Sequence, residues 1–332
     1  MTVPRSSLLI PALLSVFAAL PLAGQQVISA QSGLVHYTEG QVLLGDNPVD
    51  LKFGQFPQLK ENEELRTERG RAEVLLNPGV FLRVAENSGF RMLSTRLTDS
   101  RLEFLSGAMV IEAGQLAKDQ AVTVLHKDVT VSLAKSGLYR FDSEPPAVRV
   151  FEGAAIVETA GGKVEVTKGK MLPFDGSLAA VKFDRDQTDA LDNWSGRRAE
   201  YLALANVYAA RSVADSGMLW RRSGWVFNPY FGMLTYIPWN SVYYSPYGYR
   251  FWSPERVYMV YAPPRQSGFG GGGGARYNSN LGYNTVSPTS AGTSGVMAGA
   301  RAAAPAPSAP PAASSPAAPI ARDSGRAGGR QR

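Results

Sequence analysis

Between positions 33 and 181 the sequence is a succession of short apolar, β-branched runs separated by Gly, Asn, Asp and Pro. Runs of this kind, repeated at steps of about 8–12 residues, are typical of an all-β sandwich, barrel or β-solenoid. The predicted strands are Val35–Leu44, Ala72–Leu76, Val80–Val84, Gly89–Leu93, Arg101–Leu105, Ala108–Ala113, Ala121–Leu125, Val129–Leu133, Gly137–Asp142, Ala147–Phe151, Ala154–Thr159, Lys163–Thr167 and Lys170–Phe174.

An internal repeat narrows the choice of architecture. Residues 102–112 and 148–158 share a pattern of strand, glycine, strand around Gly107 and Gly153, and a weaker copy surrounds Gly40. Repeated units of this kind bury a shared apolar face by stacking. We therefore expect an all-β domain over residues 33–184, either solenoid-like or a flattened β-sandwich. Glycine adopts positive φ at low cost, which accounts for its recurrence at the turns without a ligand.

After Phe183 the apolar residues follow helical spacing. They are Leu191, Trp194, Tyr201, Leu204, Ala205 and Tyr208. Asp184, Asp186 and Asp189 come just before them and are suited to capping a helix and to the positive end of its dipole. The pattern predicts a helix from about Gln187 to Arg211, within a segment 185–215. Its Trp–Tyr stripe either docks on the β domain or binds a partner.

Residues 216–264 are unusually aromatic and are punctuated by prolines at 229, 238, 246 and 254. This spacing predicts tandem short hairpins or extended segments with tight turns, and the dipeptide Pro-Tyr occurs at 229–230 and 246–247. The rings either form a binding surface or pack against the helix, with Trp194 and Tyr201 as the expected contacts. The candidate binding surface consists of Trp239, Tyr243, Tyr247, Tyr249 and Trp252.

The two ends of the chain differ from the middle. Residues 1–30 hold Arg5, a short apolar run interrupted by proline, and then small residues, which predicts a secretory signal peptide; an uncleaved anchor is the alternative. Residues 265–332 are rich in Gly, Ala, Pro and Ser and are expected to be disordered. They carry the whole net charge of +6, because residues 1–264 hold 27 basic and 27 acidic side chains. The predicted folded part therefore has no electrostatic signature of nucleic-acid binding.

No catalytic or cofactor motif is apparent. Cysteine is absent, which excludes disulfides, thiol nucleophiles and Cys-based metal sites. The two histidines, His36 and His126, have no metal-ligand or triad context, and the glycine run at 270–274 lacks the Lys-Ser/Thr of a phosphate loop. We expect a protein that is not an enzyme and needs no cofactor or metal.

The block Leu65–Leu76, followed by Pro78–Val84 and Glu86–Ser88, resembles the central block of the FecR family. Residues 102–112 resemble that family's element of strand, glycine, strand, and Gly137–Asp142 resembles its Gly-Thr-x-Phe-x-Val signature, with Leu138 in the place of threonine. The resemblance covers about 65–160. It implies a periplasmic, solenoid-like β domain that relays the state of an outer-membrane transporter to a sigma factor. Family regulators carry a cytoplasmic anti-sigma segment and a transmembrane helix, whereas here a signal-like stretch precedes the domain.

Together these features predict an exported FecR-domain protein, periplasmic or secreted, that binds or signals in the cell envelope. The alternative is a structural or adhesive protein that uses its aromatic segment to bind glycan or cell wall. The expected partners are an envelope protein or a glycan, with no nucleic acid and no integral membrane segment; the oligomeric state is left open.

Overall fold

The computed structural model describes residues 31–116 and 119–261. The predicted signal peptide and the predicted disordered tail therefore lie outside the described residues. The first fifteen strands are β1 (Leu34–Leu44), β2 (Asn47–Pro48), β3 (Glu64–Leu75), β4 (Val80–Val84), β5 (Gly89–Arg96), β6 (Asp99–Ser106), β7 (Ala108–Ala113), β8 (Ala121–His126), β9 (Val129–Leu133), β10 (Gly137–Ser143), β11 (Pro146–Glu152), β12 (Ala154–Thr159), β13 (Gly162–Thr167), β14 (Lys170–Pro173) and β15 (Val181–Lys182).

The remaining elements are one long helix, two hairpins and a short 3₁₀ helix. They are α1 (Ala190–Asp215), β16 (Gly224–Asn228), β17 (Met233–Ile237), β18 (Val242–Tyr244), β19 (Arg250–Trp252) and the 3₁₀ helix Val257–Tyr261. The all-β fold with one helix is confirmed. In the described part of the chain, no helix is long and apolar enough to cross a membrane.

The first fifteen strands form one sheet that folds into two layers. Its order is β13-β12-β9-β8-β6-β5-β3-β4-β7-β10-β11-β14-β15, with β1 beside β3 and β2 beside β1. Among the strand pairs of the described residues, β6 and β8 alone are parallel. The long strand β3 joins the layers, because Glu64–Arg66 pair with β5 in the first layer and Ala72–Leu75 pair with β4 in the second. Of the two predicted architectures, solenoid-like and flattened β-sandwich, this arrangement is the flattened β-sandwich.

The core lies between the inner faces of the two layers. Phe104 on β6 meets Phe141 on β10, with ring centroids 6.4 Å apart. One buried cluster contains inward residues of both layers, such as Val124 and Val157 from the first and Leu82 and Ile111 from the second. Inward side chains alternate with outward ones along each strand, as the pleat requires.

The repeated glycines mark the places where the chain changes layer. β6 belongs to the first layer and β7 to the second, and Gly107 separates them with φ of 79°. β11 and β12 change layer in the opposite direction around Gly153, which has φ of 92°. A corner of a sandwich needs a sharp change of direction, and the positive φ that supplies it favours glycine. The sequence repeat therefore corresponds to two layer crossings.

The helix and the two hairpins cover the outer face of the second layer. One buried cluster joins Leu34, Leu75 and Phe81 of the sheet to Leu202 of α1 and Trp225 of β16. This second interface explains why β4 is buried on both of its faces.

Helix α1 begins later and ends later than predicted. Asp189 is its N-cap and accepts hydrogen bonds from the backbone nitrogens of Leu191 and Asp192, and the Asp192 side chain completes the capping box. Trp194 is buried as expected, but Tyr201 and Tyr208 are exposed, which corrects the predicted docking stripe. Beyond Trp194 the helix is buried instead through Leu202, Ala205 and Ala209, so its packed face lies beside the tyrosines and not on them.

Candidate binding site

The five aromatic residues predicted as a binding surface do not share one surface. Tyr243 and Trp252 are buried, Tyr247 and Tyr249 are half-buried, and Trp239 is 49% exposed. The burial of Tyr243 and Trp252 is a correction to the predicted surface, since rings enclosed in the fold offer no face to a partner. Binding by the other three residues stays a prediction.

Tyr243 and Trp252 are buried because the hairpins pack on α1 and on the sheet. The ring of Tyr243 lies 5.5 Å from that of Phe251 and 6.0 Å from that of Tyr236, measured between centroids. The side chain of Asn206 on α1 donates to the backbone oxygen of Trp252 at 3.0 Å and accepts from its backbone nitrogen at 2.6 Å. The hairpins are confirmed as tandem, and each Pro-Tyr dipeptide lies in a turn between paired strands.

A buried ionic network lies beneath the hairpins, and no sequence motif marked it. At its centre, Glu73 on β3 accepts from Arg83 Nε on β4 at 2.8 Å and from Arg198 Nη2 on α1 at 2.9 Å. Arg83 Nη1 also donates to Glu112 on β7 at 2.7 Å. Burial alone would raise the pKa of Glu73, but Arg198 and Arg83 outweigh it and hold that pKa well below its usual value. Glu73 is therefore ionised, and the network joins the carboxyl groups of Glu73 and Glu112 to the guanidinium groups of Arg83 and Arg198.

The network connects the sheet to the elements that cover it. Glu112 accepts hydrogen bonds from Tyr243 at 3.3 Å and from Ser245, both in the second hairpin region. The guanidinium carbon of Arg198 lies 3.8 Å from the ring centroid of Tyr37. The one sequence signal that could have revealed the network is a charged residue at an outward-facing position of each of three strands: Glu73 on β3, Arg83 on β4 and Glu112 on β7.

His36 connects the network to the first hairpin. Its Nδ1 lies 2.9 Å from Glu73 Oε1, and the backbone nitrogen of Leu234 donates to its Nε2 at 3.0 Å. Because Nε2 is an acceptor, the ring is neutral and carries its proton on Nδ1. Burial lowers the pKa of His36 below its ordinary value of 6.5; Arg198 and Arg83 lower it further, and Glu73 opposes them.

This tautomer predicts a pH-dependent stability. The unfolded chain binds a proton at His36 near pH 6.5, whereas the folded protein binds it only at lower pH, so the free energy of unfolding should fall as the pH drops below 6.5. Above that pH the contribution of His36 is fully present. Urea unfolding of the wild type and of His36→Gln, from about pH 8 to pH 5, checks this. Equal pH slopes in the two proteins between pH 6.5 and 5 would contradict it.

A second cluster of charges fixes the start of α1. Arg140 on β10 donates to Asp189 at 2.6 Å, to Asp192 at 2.8 Å and to Asp142 at 3.0 Å. Burial alone would lower the pKa of Arg140, but the three carboxylates outweigh burial and raise that pKa above its ordinary value, so the guanidinium stays charged. The capping residues of the helix are thereby anchored to the sheet.

An open groove lies beside this anchored end of the helix. It has a volume of about 530 Å³, within the size range of small-ligand sites. Its lining consists of Leu138, Phe151, Arg185, Thr188, Asp192, Asn193, Gly196, Arg197, Tyr247 and Tyr249. Two of the five predicted surface residues, Tyr247 and Tyr249, therefore meet here. Because Asp192 is paired with Arg140, Arg185 and Arg197 give the groove a positive charge.

The groove brings aromatic rings together with guanidinium and amide groups. Aromatic rings beside guanidinium and amide groups can stack on a ligand and hydrogen-bond to its anionic or hydroxyl groups. Both histidines are engaged elsewhere: His36 in the ionic network, and His126 through an Nδ1 contact with the backbone oxygen of Phe104 at 2.8 Å. Across residues 31–116 and 119–261, no cluster of His, Asp and Glu has the arrangement of a metal site.

Known proteins resemble this chain in part of its structure. No family model matches the chain, and no curated protein matches it. Two crystal structures of a protein from Parabacteroides distasonis, described as a "putative anti-sigma factor", are similar in part. One has 14% identity and a TM-score of 0.33, covering 37% of this chain and 61% of that chain. The other has 13% identity and a TM-score of 0.34, covering 40% and 64%. This chain thus spans less than two thirds of the length of those proteins.

Proposed function

We propose that this protein is an exported, non-catalytic binding or signalling protein of the cell envelope, built on a FecR-like β domain. The observation that carries the proposal is the position of the residues on which the FecR resemblance depends. They come from separate parts of the sequence and meet at one corner of the sandwich.

Thr67, Ser88 and Gly107 form this corner. The backbone nitrogen of Ser88 donates to Thr67 Oγ1 at 3.0 Å, and the backbone nitrogen of Ala108 donates to Ser88 Oγ at 2.9 Å. A Cβ atom at Gly107 would lie 2.0 Å from Ser88 Oγ, so only glycine fits there. The Thr, Ser and Gly of the motif therefore have a structural role in turning the chain between layers. A motif with this role supports a shared fold, and the signalling function is proposed from it.

We propose the groove beside α1 as the site at which this protein binds its partner. It combines Arg185 with the rings of Phe151 and Tyr249 on a rigid base, because the helix next to it is anchored through Arg140. A partner that presents a carboxylate or phosphate next to an apolar group fits this lining.

Reversing the charge of the groove is expected to abolish capture of the partner. Arg185→Glu places a carboxylate where the proposed partner presents its own negative charge. The measurement is a pull-down from envelope extracts with the full chain as bait, followed by identification of the bound proteins. Arg66→Glu is the matched control, because Arg66 is also an exposed arginine but lies on β3, outside the groove. Equal capture by both variants and the wild type would refute the groove as the site.

The adhesive alternative is supported by the exposed rings of the second hairpin region. Trp239 is 49% exposed and Tyr244 is 64% exposed. Exposed rings of this kind stack on sugar faces. Co-sedimentation with purified peptidoglycan distinguishes the two functions: retention that is lost in Trp239→Ala supports adhesion, and retention that is unchanged counts against it.

A further inference from the structure

The exposed face of α1 carries an apolar stripe. Tyr201, Leu204 and Tyr208 are 52%, 40% and 58% exposed, whereas the opposite face of the helix is buried. Their spacing of three and four residues places them in one narrow line along the helix. This line is the seam that two helices bury when they pair.

Charged side chains continue the stripe at both ends. Arg197 lies four residues before Tyr201, and Arg211 and Asp215 follow Tyr208 at intervals of three and four residues. From 197 to 211 the steps of four, three, four and three residues average 3.5, the period of a two-helix seam, and Asp215 follows at the next step of four. Arg197 makes no ion pair within the described ranges, whereas Arg211 and Asp215 approach each other at 3.5 Å.

We infer that this stripe is the interface of a homodimer in which α1 pairs with α1 of a second copy in antiparallel orientation. A two-fold axis midway between Leu204 and Tyr208 places each of these residues against the other residue in the second copy. The same axis places Tyr201 against Arg211 and Arg197 against Asp215. Such an interface is self-complementary, as two-fold symmetry requires.

The charges favour this register over a parallel pair and over an antiparallel pair centred on Leu204. A parallel pair would place Arg197 against Arg197 and Asp215 against Asp215. An antiparallel pair centred on Leu204 would place Arg197 against Arg211. Like charges that face each other disfavour both arrangements. In the inferred register Arg197 meets the carboxylate of Asp215, and Arg211 meets the ring of Tyr201. Because Arg197 is then engaged in the interface, Arg185 remains as the cation of the groove.

Cysteine cross-linking tests the register directly, because the chain contains no cysteine. The full-length variants Leu204→Cys and Tyr208→Cys are mixed and oxidised. The inferred register brings residue 204 of one copy against residue 208 of the other, so the mixture should form a disulfide-linked heterodimer. Each variant alone should run largely as a monomer in non-reducing gel electrophoresis. Cross-linking of Leu204→Cys alone, at least as efficient as that of the mixture, would overturn the register.

Charge reversal tests the interface without changing the apolar stripe. Arg197→Asp places a carboxylate against Asp215, and the two-fold axis repeats this repulsive contact twice in each dimer. Because two weak surface ion pairs are lost, the dimer dissociation constant should rise by about tenfold. The swap Arg197→Asp with Asp215→Arg should recover most of the loss. Sedimentation equilibrium of the full chain measures both, and a thermal melt confirms folding. A wild-type chain that is monomeric at all accessible concentrations overturns the inference.

Discussion

Replacing Glu73 with alanine is expected to lower the free energy of unfolding by about 3–5 kcal/mol. The carboxylate is fully buried and bonds to Arg83 and Arg198 at 2.8 and 2.9 Å. Its removal leaves two guanidinium groups in the interior with Glu112 as their one remaining carboxylate. An uncompensated buried charge costs more than the lost hydrogen bonds, because it cannot be resolvated without opening the interface.

The loss should appear in the global unfolding transition, since Glu73 connects β3, β4 and α1. Urea unfolding followed by tryptophan fluorescence and by circular dichroism measures it, and the two signals should shift together. Glu68→Ala is the matched control, because Glu68 is an exposed glutamate on the same strand, and its replacement should change the stability by less than about 0.5 kcal/mol. A Glu73→Ala loss as small as that of the control would show that the network contributes no stability.

Most strands were predictable because each is a short apolar, β-branched run between turn residues. Ala154–Thr159 matches its predicted bounds, and most others differ by one or two residues. The exceptions are β5, which ends at Arg96 instead of Leu93, and β3, which begins at Glu64 instead of Ala72. Its first half reads as charged loop, yet Leu65 and Thr67 point inward and are buried. Pairing with β1 along its whole length, which is not visible in the local sequence, overrides the weak local pattern.

The candidate site was predictable only in part. Tyr247 and Tyr249 do line the groove, but Arg185 and Arg197 were not singled out, because two exposed arginines on different elements carry no local signal. Aromatic density alone does not distinguish a surface from a core. The difference between Tyr243 and its neighbour Tyr244 is decided by which face of β18 the sheet covers, and that depends on the tertiary fold.

The contrast between Tyr243 and Tyr244 also leads to the second prediction of a large loss of stability. Tyr243→Ala is expected to lower the free energy of unfolding by about 3–5 kcal/mol, as for other aromatic residues removed from a core. Its ring packs between Phe251 and Tyr236, and its hydroxyl bonds to Glu112, so truncation leaves both a cavity and a weakened ionic network. Tyr243→Phe should cost about 1 kcal/mol, because it removes the hydroxyl and keeps the ring.

Tyr244→Ala is the matched control for this prediction, because Tyr244 is the next residue on β18 and is 64% exposed. Its replacement should leave the urea midpoint within about 0.5 kcal/mol of the wild type. If the aromatic segment were a binding surface with little packing role, the order would be reversed: Tyr243→Ala would leave the midpoint unchanged and would lose the partner. Urea unfolding of the three variants, with pull-down capture measured on the same preparations, decides between packing and recognition. We expect packing at Tyr243 and unchanged capture in Tyr244→Ala, because Tyr244 does not line the proposed groove.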